Sequence, residues 1–298
     1  FESKDVVPLR FANAVSGCGG KASRLAALME AGMPVPDGFV VRGRAIESWR
    51  ASGAWSASCR DHIARQHARL GAEKVAVRSS GLNEDGDARS YAGVFESILE
   101  VKADGLTDAI ERVAESLSSD RARVYSNHQT ETGSVVVQAM VPAEYAGVLF
   151  TEHPGLAGSC AVELVSGLGD ELVSGRVDPM SFRFGRSSGR LFGEVKPPID
   201  LEPLLELGRK AETHFGRPQD IEWAFARGRF FLLQARNITR LSTHGSEARA
   251  IRERERARLL ALVRGAEADE VVLAQNEISE LLPEPTPFSL GWMEELWA

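Results

Sequence analysis

The chain has 298 residues, 43 % of them hydrophobic, and a net charge of −7, enough for one large domain or two lobes with cores of their own. The acidic balance gives no general reason to bind nucleic acid or an anionic membrane surface. No apolar run approaches the roughly 20 residues that span a bilayer, and the N-terminus has no signal-like segment, so a cytoplasmic protein without nucleic-acid or membrane partners is expected.

In chain order, the first clear element is a helix over residues 21–31, with Ala22, Leu25, Ala26 and Met29 on one stripe and Gly32, Pro34 and Pro36 ending it. Phe39-Val40-Val41 reads as a strand and residues 57–70 as a weakly patterned helix. Val75-Ala76-Val77 is a strand running into Arg78-Ser79-Ser80-Gly81. A long polar loop with Asn83, Glu84, Asp85 and Asp87 follows, and loops of that length are often functional. Phe95 to Val101 returns as a strand, and Leu106, Ile110, Val113 and Leu117 mark an amphipathic helix. Strands follow at residues 134–141, 147–151 and 161–165, then a turn at Gly167-Leu168-Gly169-Asp170. Asp220 to Gln234 reads as a hairpin about Arg227-Gly228-Arg229. Residues 246–264, dense in Arg and Glu, read as a solvated helix. The pattern is α+β, in two lobes with a cleft near residues 130–140.

Four places carry candidate chemistry. Gly19-Gly20-Lys21 opens a helix, where glycines allow close backbone approach and free N–H groups face an anion. It is not a Walker A loop, which needs Gly and Ser or Thr where Val15 and Ala22 stand. Arg78 ends a strand at a lobe edge, a position equally suited to a surface ion pair. With a three-residue hairpin loop, Glu222 opposes Gln234, Asp220 opposes Arg236 and Ala224 opposes Leu232 on one face. Ile221, Trp223, Phe225, Phe231 and Leu233 then form an apolar face behind them. A carboxylate beside an amide oxygen suits Mg²⁺, and an adjacent Arg suits the phosphates that the ion bridges. Gln138-Ala139-Met140-Val141 follows a buried strand, where backbone groups could read a base edge and Met140 could pack on it. None of the six histidines lies in a catalytic or metal-like context. Cys18, Cys59 and Cys160 have neither metal nor disulfide spacing and are expected as reduced thiols.

The runs GGKASRLAALMEAGMPVPDGFVV, VAVRSSGLNEDGDARSYAGVFESILEV, VVVQAMVPAEYAGVLFTEHP, VELVSGLGDELVSGRVDP and DIEWAFARGRFFLLQARNITRL occur in that order across about residues 17–240. Together they resemble the N-terminal nucleotide-binding domain of the phosphoenolpyruvate synthase, pyruvate phosphate dikinase and rifampin phosphotransferase family. The resemblance implies an ATP-grasp-type fold with ATP and Mg²⁺ between two lobes. It implies an N-terminal lobe over 1–137, a second lobe with the adenine and metal site over 138–240, and a helical linker over 241–298. Lys21, Arg78 and Arg236 would act on the phosphates, and the Ser90-Tyr91-Ala92-Gly93 stretch would close over them. Gln138, Met140 and Val141 would line the adenine site, and Glu222 and Gln234 would hold Mg²⁺ or the ribose and phosphates. The implied reaction splits ATP to AMP and phosphate and leaves a phosphoryl group on a histidine of a separate carrier domain, for transfer to a small-molecule acceptor. No Thr-Ser-His-Ala-type carrier motif occurs here, so the carrier and acceptor domains are expected elsewhere, on a longer chain or on separate proteins. Asp170 stands where the family usually has Glu, and Phe11-Ala12-Asn13-Ala14 and Cys18 are an unusual approach to the Gly-Gly-Lys. Two other classes fit a nucleotide site: a self-contained ATP-grasp ligase releasing ADP, and a non-catalytic nucleotide-binding module.

Overall fold

The computed structural model describes residues 5–81, 97–117, 133–153, 156, 158–169 and 178–238. The chain divides into the units Phe1–Leu241 and Ser242–Ala298, and every described residue lies in the first. The polar loop with Ser90 to Gly93, Asp170, the helix expected over 246–264 and the tail beyond it all lie outside the described residues.

Strands β1 (Val6–Pro8), β2 (Gly38–Val41), β3 (Val75–Ser80), β4 (Ser97–Val101) and β5 (Ser134–Ala139) form one antiparallel sheet, ordered β1-β2-β5-β3-β4. Its strands alternate between two apolar faces. Phe39, Val41, Val75, Val77, Val135 and Val137 pack outward against helices α2 (Gly43–Ser52), α3 (Ala57–Leu70) and α4 (Leu106–Ser116). Val40 and Val136 pack inward, against a 3-10 turn at Leu9–Ala14 and helix α1 (Gly19–Glu30). The lobe boundary expected at 137/138 falls inside β5, because β5 pairs with β2 and β3 through Ala139 and so keeps Gln138 in the first sheet.

The second sheet is also antiparallel: β6 (Tyr145–Phe150), β7 (Ser159–Ser166), β8 (Met180–Gly185), β9 (Leu191–Phe192), β10 (Gln219–Ala226) and β11 (Arg229–Asn237), ordered β11-β10-β6-β7-β8-β9. Helix α5 (Glu202–Phe215) covers one face, and its Gly208 is required there because a Cβ would come within 2.6 Å of the Leu149 side chain. Leu204, Leu205, Gly208 and Ala211 form its buried stripe, with Pro203 at its start and Gly216 at its C-cap, a helix the sequence reading did not pick out.

One apolar core joins the two sheets. It holds Ala22, Leu25, Ala26 and Leu28 of α1, Val40 and Val136 of the first sheet, and Leu149, Val162, Ile221, Trp223 and Leu232 of the second. Leu25 and Leu28 are fully buried, and each such side chain contributes roughly 1.5–3 kcal/mol. Helix α1 ends as expected: Gly32 takes φ +73° and donates to Met29 O, and Met33 N–H donates to Leu28 O.

The hairpin departs from the expected register. Its turn is two residues, Arg227 at φ 52° and Gly228 at φ 73°, with Ala226 opposite Arg229. Positive φ at both centres is a type I′ turn, whose twist matches that of the strands. A bulge then skips Leu233, so Trp223 faces Leu232 and Ala224 faces Phe231, while Glu222 still faces Gln234 and Asp220 still faces Arg236. Phe230 and Leu232, not Phe231 and Leu233, join the core with Trp223. Phe231 and Leu233 pack on the other face with Val141, Ala146, Ala224 and Ala226.

Cys18, Cys59 and Cys160 are free and buried. Burial pushes the Cys18 and Cys59 thiols up to about 11, which makes them poor nucleophiles. Among the described residues no helix is long and apolar enough to cross a membrane.

Two glycines at the start of α1, one just before it and one its first residue, provide a test. Gly17 and Gly19 both have positive φ, 70° and 75°, but a Cβ on Gly17 meets nothing within 4 Å while one on Gly19 would lie 2.2 Å from Ser80 O. Gly17→Ala should cost about 1–2 kcal/mol from the backbone alone. Gly19→Ala should cost about 3 kcal/mol or more, because overpacking adds to the same strain. Urea unfolding of the two variants measures the difference, and equal losses would contradict the close approach of α1 to β3.

Candidate nucleotide site

Lys21 sits in the first turn of α1, held at the end of β3. Gly20 N–H donates to Gly81 O at 2.8 Å, and Ala22 N–H donates to Ser80 Oγ at 3.1 Å. Ser80 Oγ in turn donates to Cys18 O at 3.1 Å, and Ser134 Oγ donates to the same carbonyl. The glycines therefore serve the packing of helix on strand. Two of the N–H groups expected to face an anion are bonded to protein, which corrects the reading of this helix start as an open anion cradle. What α1 brings to the cleft is the Lys21 side chain.

Arg78 leaves the inner face of β3 and crosses to the second sheet. Its Nη2 donates to Glu222 Oε2 at 2.6 Å and to Gln234 Oε1 at 3.2 Å. Its Nη1 donates to Leu233 O at 3.0 Å, the carbonyl at the bulge. Arg78 Nε is buried without a partner among the described residues. The side chains are 13 % and 18 % exposed, so this is no surface ion pair. Burial works to raise the Glu222 carboxyl, yet Arg78, Lys21 and Arg236 together hold it below the ordinary carboxylate value.

One step along the same face, Arg236 donates through Nε to Asp220 Oδ2 at 2.6 Å, and its Nη2 lies 2.6 Å from the same oxygen. Here burial prevails: it pushes the Asp220 carboxyl up despite Arg236, and the neighbouring Glu222 charge adds to the rise. The arginine touching Glu222 and Gln234 is thus Arg78, while Arg236 is tied to Asp220. Asp220 was readable as the cross-strand partner of Arg236 but had no role assigned from sequence.

The structure also places the residues expected at a base. Gln138 is 2 % exposed, and its Nε2 donates to Pro36 O at 3.1 Å. Met140 is half-buried, but its N–H donates to Lys74 O at 3.1 Å, so that group is not free to read a base edge. Val141 is buried in the apolar cluster with Ala146, Ala224 and Ala226, with Phe231 and Leu233 against it. Glu222 and Gln234 lie beside this cluster on the same sheet face. Gly93 lies outside the described residues.

Sequence reasoning missed Arg24, one turn after Lys21. Its Nε donates to Ala235 O at 2.8 Å, and its Nη2 donates to Asn237 Oδ1 at 3.2 Å and to Gln219 Oε1. The only local signal was a charged residue three places from Lys21 on a helix otherwise rich in apolar residues. Two cavities lined by α5, one of about 570 Å³ beside Arg186 and Glu212 and one of about 650 Å³ beside Pro34 and Phe230, contain none of the candidate residues.

The two antiparallel sheets flanked by helices, with charged side chains meeting between them, make the chain α+β as expected from the sequence. The family model described as "Pyruvate phosphate dikinase, AMP/ATP-binding domain" matches residues 42–196 and 199–257. Among curated proteins, a probable phosphoenolpyruvate synthase of Archaeoglobus fulgidus is 29 % identical over 88 % of this chain and 46 % of its own length. The prodigiosin synthesizing transferase of Serratia marcescens is 32 % identical over 74 % of this chain and 31 % of its own. A rifampicin phosphotransferase of a Streptomyces species is 35 % identical over 56 % and 23 %. A D-alanine–D-alanine ligase of Bacillus anthracis solved with ATP superposes with a TM-score of 0.41 at 10 % identity, over 79 % of this chain and 62 % of that one. The chain spans less than half the length of these curated relatives. With the family model covering most of its described residues, the chain belongs to the family of the pyruvate phosphate dikinase AMP/ATP-binding domain.

Proposed function

We propose that this chain binds Mg-ATP between its two sheets and serves as the phosphoryl-donor domain of a phosphoenolpyruvate-synthase-like phosphotransferase. The observation that carries this reading is the convergence of Glu222 Oε2 and Gln234 Oε1 on one guanidinium, that of Arg78, in the cleft. Two oxygens already gathered about a cation form a donor set that suits Mg²⁺, which takes one or two carboxylate or amide oxygens and completes its shell with phosphate and water. Such an ion, when bound, supplies charge neutralisation at the phosphates.

The chain's own residues do the rest. Lys21, Arg78 and Arg236 contact the polyphosphate and offset the charge that spreads over its oxygens during transfer. Asp220 holds Arg236 in place for that contact. The apolar cluster about Val141 and the half-buried Met140 pack on the base, and Gln138 stands beside it. Overall, ATP, water and a carrier histidine give AMP, phosphate and phosphohistidine, and the phosphoryl group passes on to a small-molecule acceptor. The histidine and the acceptor site belong to further domains, on the same longer chain or on a partner. In this reading the first sheet and α1 bring Lys21 and Arg78 to the phosphates, and the second sheet brings Arg236 and the oxygens of Glu222 and Gln234.

The test is calorimetric titration with Mg-ATP, with AMP and ADP followed by chromatography. Wild type should bind, while Lys21→Ala and Glu222→Ala should each bind about tenfold or more weakly, since each loses a charged contact worth about 1.5–3 kcal/mol. AMP should form only when a carrier domain from a full-length relative is added. Steady ADP release with an added small carboxylic acid would replace this reading with a ligase.

The two carboxylates also predict opposite pH signatures. Glu222 is held below its ordinary 4.5, so its stabilising contribution is complete above that value and disappears as pH falls through the lower folded value. Asp220 is raised above 3.8, so the native state favours its protonated form and this group costs stability as pH rises through the interval above 3.8. In urea titrations, the stability difference between wild type and Glu222→Gln should be constant above pH ~5 and close on further acidification. The difference for Asp220→Asn should move the other way over its own interval, and a common direction for both would contradict the electrostatics described.

A further inference from the structure

Lys21 and Arg24 are three residues apart on α1 and share one face of the helix. Lys21 contributes its charge to the cleft, where it helps hold Glu222 ionised. Arg24 instead turns to the edge of the second sheet. Its Nε donates to Ala235 O at 2.8 Å, its Nη2 donates to Asn237 Oδ1 at 3.2 Å and to Gln219 Oε1, and its guanidinium carbon lies 3.8 Å from the Phe215 ring centroid.

These contacts straddle the phosphate-side arginine. Ala235 and Asn237 are the neighbours of Arg236 on β11, and Gln219 is the neighbour of Asp220, its partner on β10. Gln219 is fully buried and its Nε2 donates to Asn237 Oδ1 at 3.0 Å and to Arg217 O at 2.7 Å, so Arg24 grips a segment that is itself cross-linked. Side chains alternate along a strand, so Gln219 and Asn237 face Arg24 while Asp220 and Arg236 face the cleft. The remaining contacts of α1 with the second sheet are largely apolar. Apolar contact is non-directional and leaves a helix free to slide along its partner. A guanidinium bonded to three acceptors and stacked on a ring does not.

We propose that Arg24 is a positioning residue that fixes the spacing of Lys21 from Arg236 and Glu222, so that charges on both sides of the cleft meet a single polyphosphate. The inference rests on the nucleotide-binding reading above. It predicts that Arg24 controls affinity for phosphates and not for the base.

The experiment titrates the chain with Mg-ATP and with AMP, for wild type, Arg24→Ala, Arg24→Lys, Asn237→Ala and Ile63→Ala. Ile63 lies in the outer core of the first sheet and controls for lost stability. Arg24→Ala should weaken Mg-ATP binding by about tenfold or more with AMP affinity unchanged. Arg24→Lys should not restore it, since an ammonium cannot span the same acceptors. Asn237→Ala should show the same split more weakly, and it tests the idea if Arg24→Ala fails to fold. Ile63→Ala should leave the ratio of the two affinities as in wild type. Equal affinities in Arg24→Ala and wild type, an equal loss for both nucleotides, or the same split in Ile63→Ala would each overturn the proposal. Failure of wild type to bind either nucleotide would instead remove the functional reading itself, and the role of Arg24 with it.

Discussion

Helix α1 has to satisfy two sheets at once. Its apolar residues are buried in a core to which both sheets contribute, and its start is pressed so closely on β3 that position 19 has no room for a Cβ. Both constraints act within the first turns of one helix, so its orientation is nearly determined. Lys21 leaves it toward the cleft and Arg24 toward the edge of the second sheet. Because interiors are close-packed and resist deformation, a change at the glycine, at the core or at Arg24 would be transmitted to the same lysine.

The cleft is an exercise in keeping charge buried without leaving it uncompensated. Removing a single ion from water costs several kcal/mol, and a half-broken buried pair is worse than either an intact pair or an apolar replacement. Arg78 with Glu222 and Arg236 with Asp220 meet that condition as two adjacent pairs on one face of the β10–β11 hairpin. They do not resolve it alike. Three cations act on Glu222 and hold it ionised, whereas burial dominates at Asp220. The bulge at Leu233 contributes as well: its carbonyl accepts from Arg78, and it brings Glu222 back opposite Gln234 after the two-residue turn has placed Phe230 and Leu232 in the core. A polyphosphate with its metal ion would enter a site where the counter-charges of both signs are already in position, the condition under which electrostatic catalysis needs little reorganisation.

The relatives extend well beyond this chain. Their names span phosphoenolpyruvate synthases, a prodigiosin synthesizing transferase and rifampicin phosphotransferases.

Much of the site was legible before any coordinates. The alternation of residues 220–225 and 230–236 about a tight turn placed Asp220, Glu222, Gln234 and Arg236 on one face, and the 3.6-residue stripe after Gly20 marked α1, because both patterns are local and written in neighbouring residues. The same locality set the limit. A loop of three residues and one of two with a bulge give the same pairing of Glu222 with Gln234, and only the packing of Phe230 and Leu232 into a shared core selects the second. Nor could the sequence show that the N–H groups of α1 are taken by Ser80 and Gly81, that Arg78 finds Glu222 across 144 residues, or that Arg24 finds Ala235 across 211. Those partners are chosen by how two sheets close on one helix, a long-range geometry that no short-range periodicity contains.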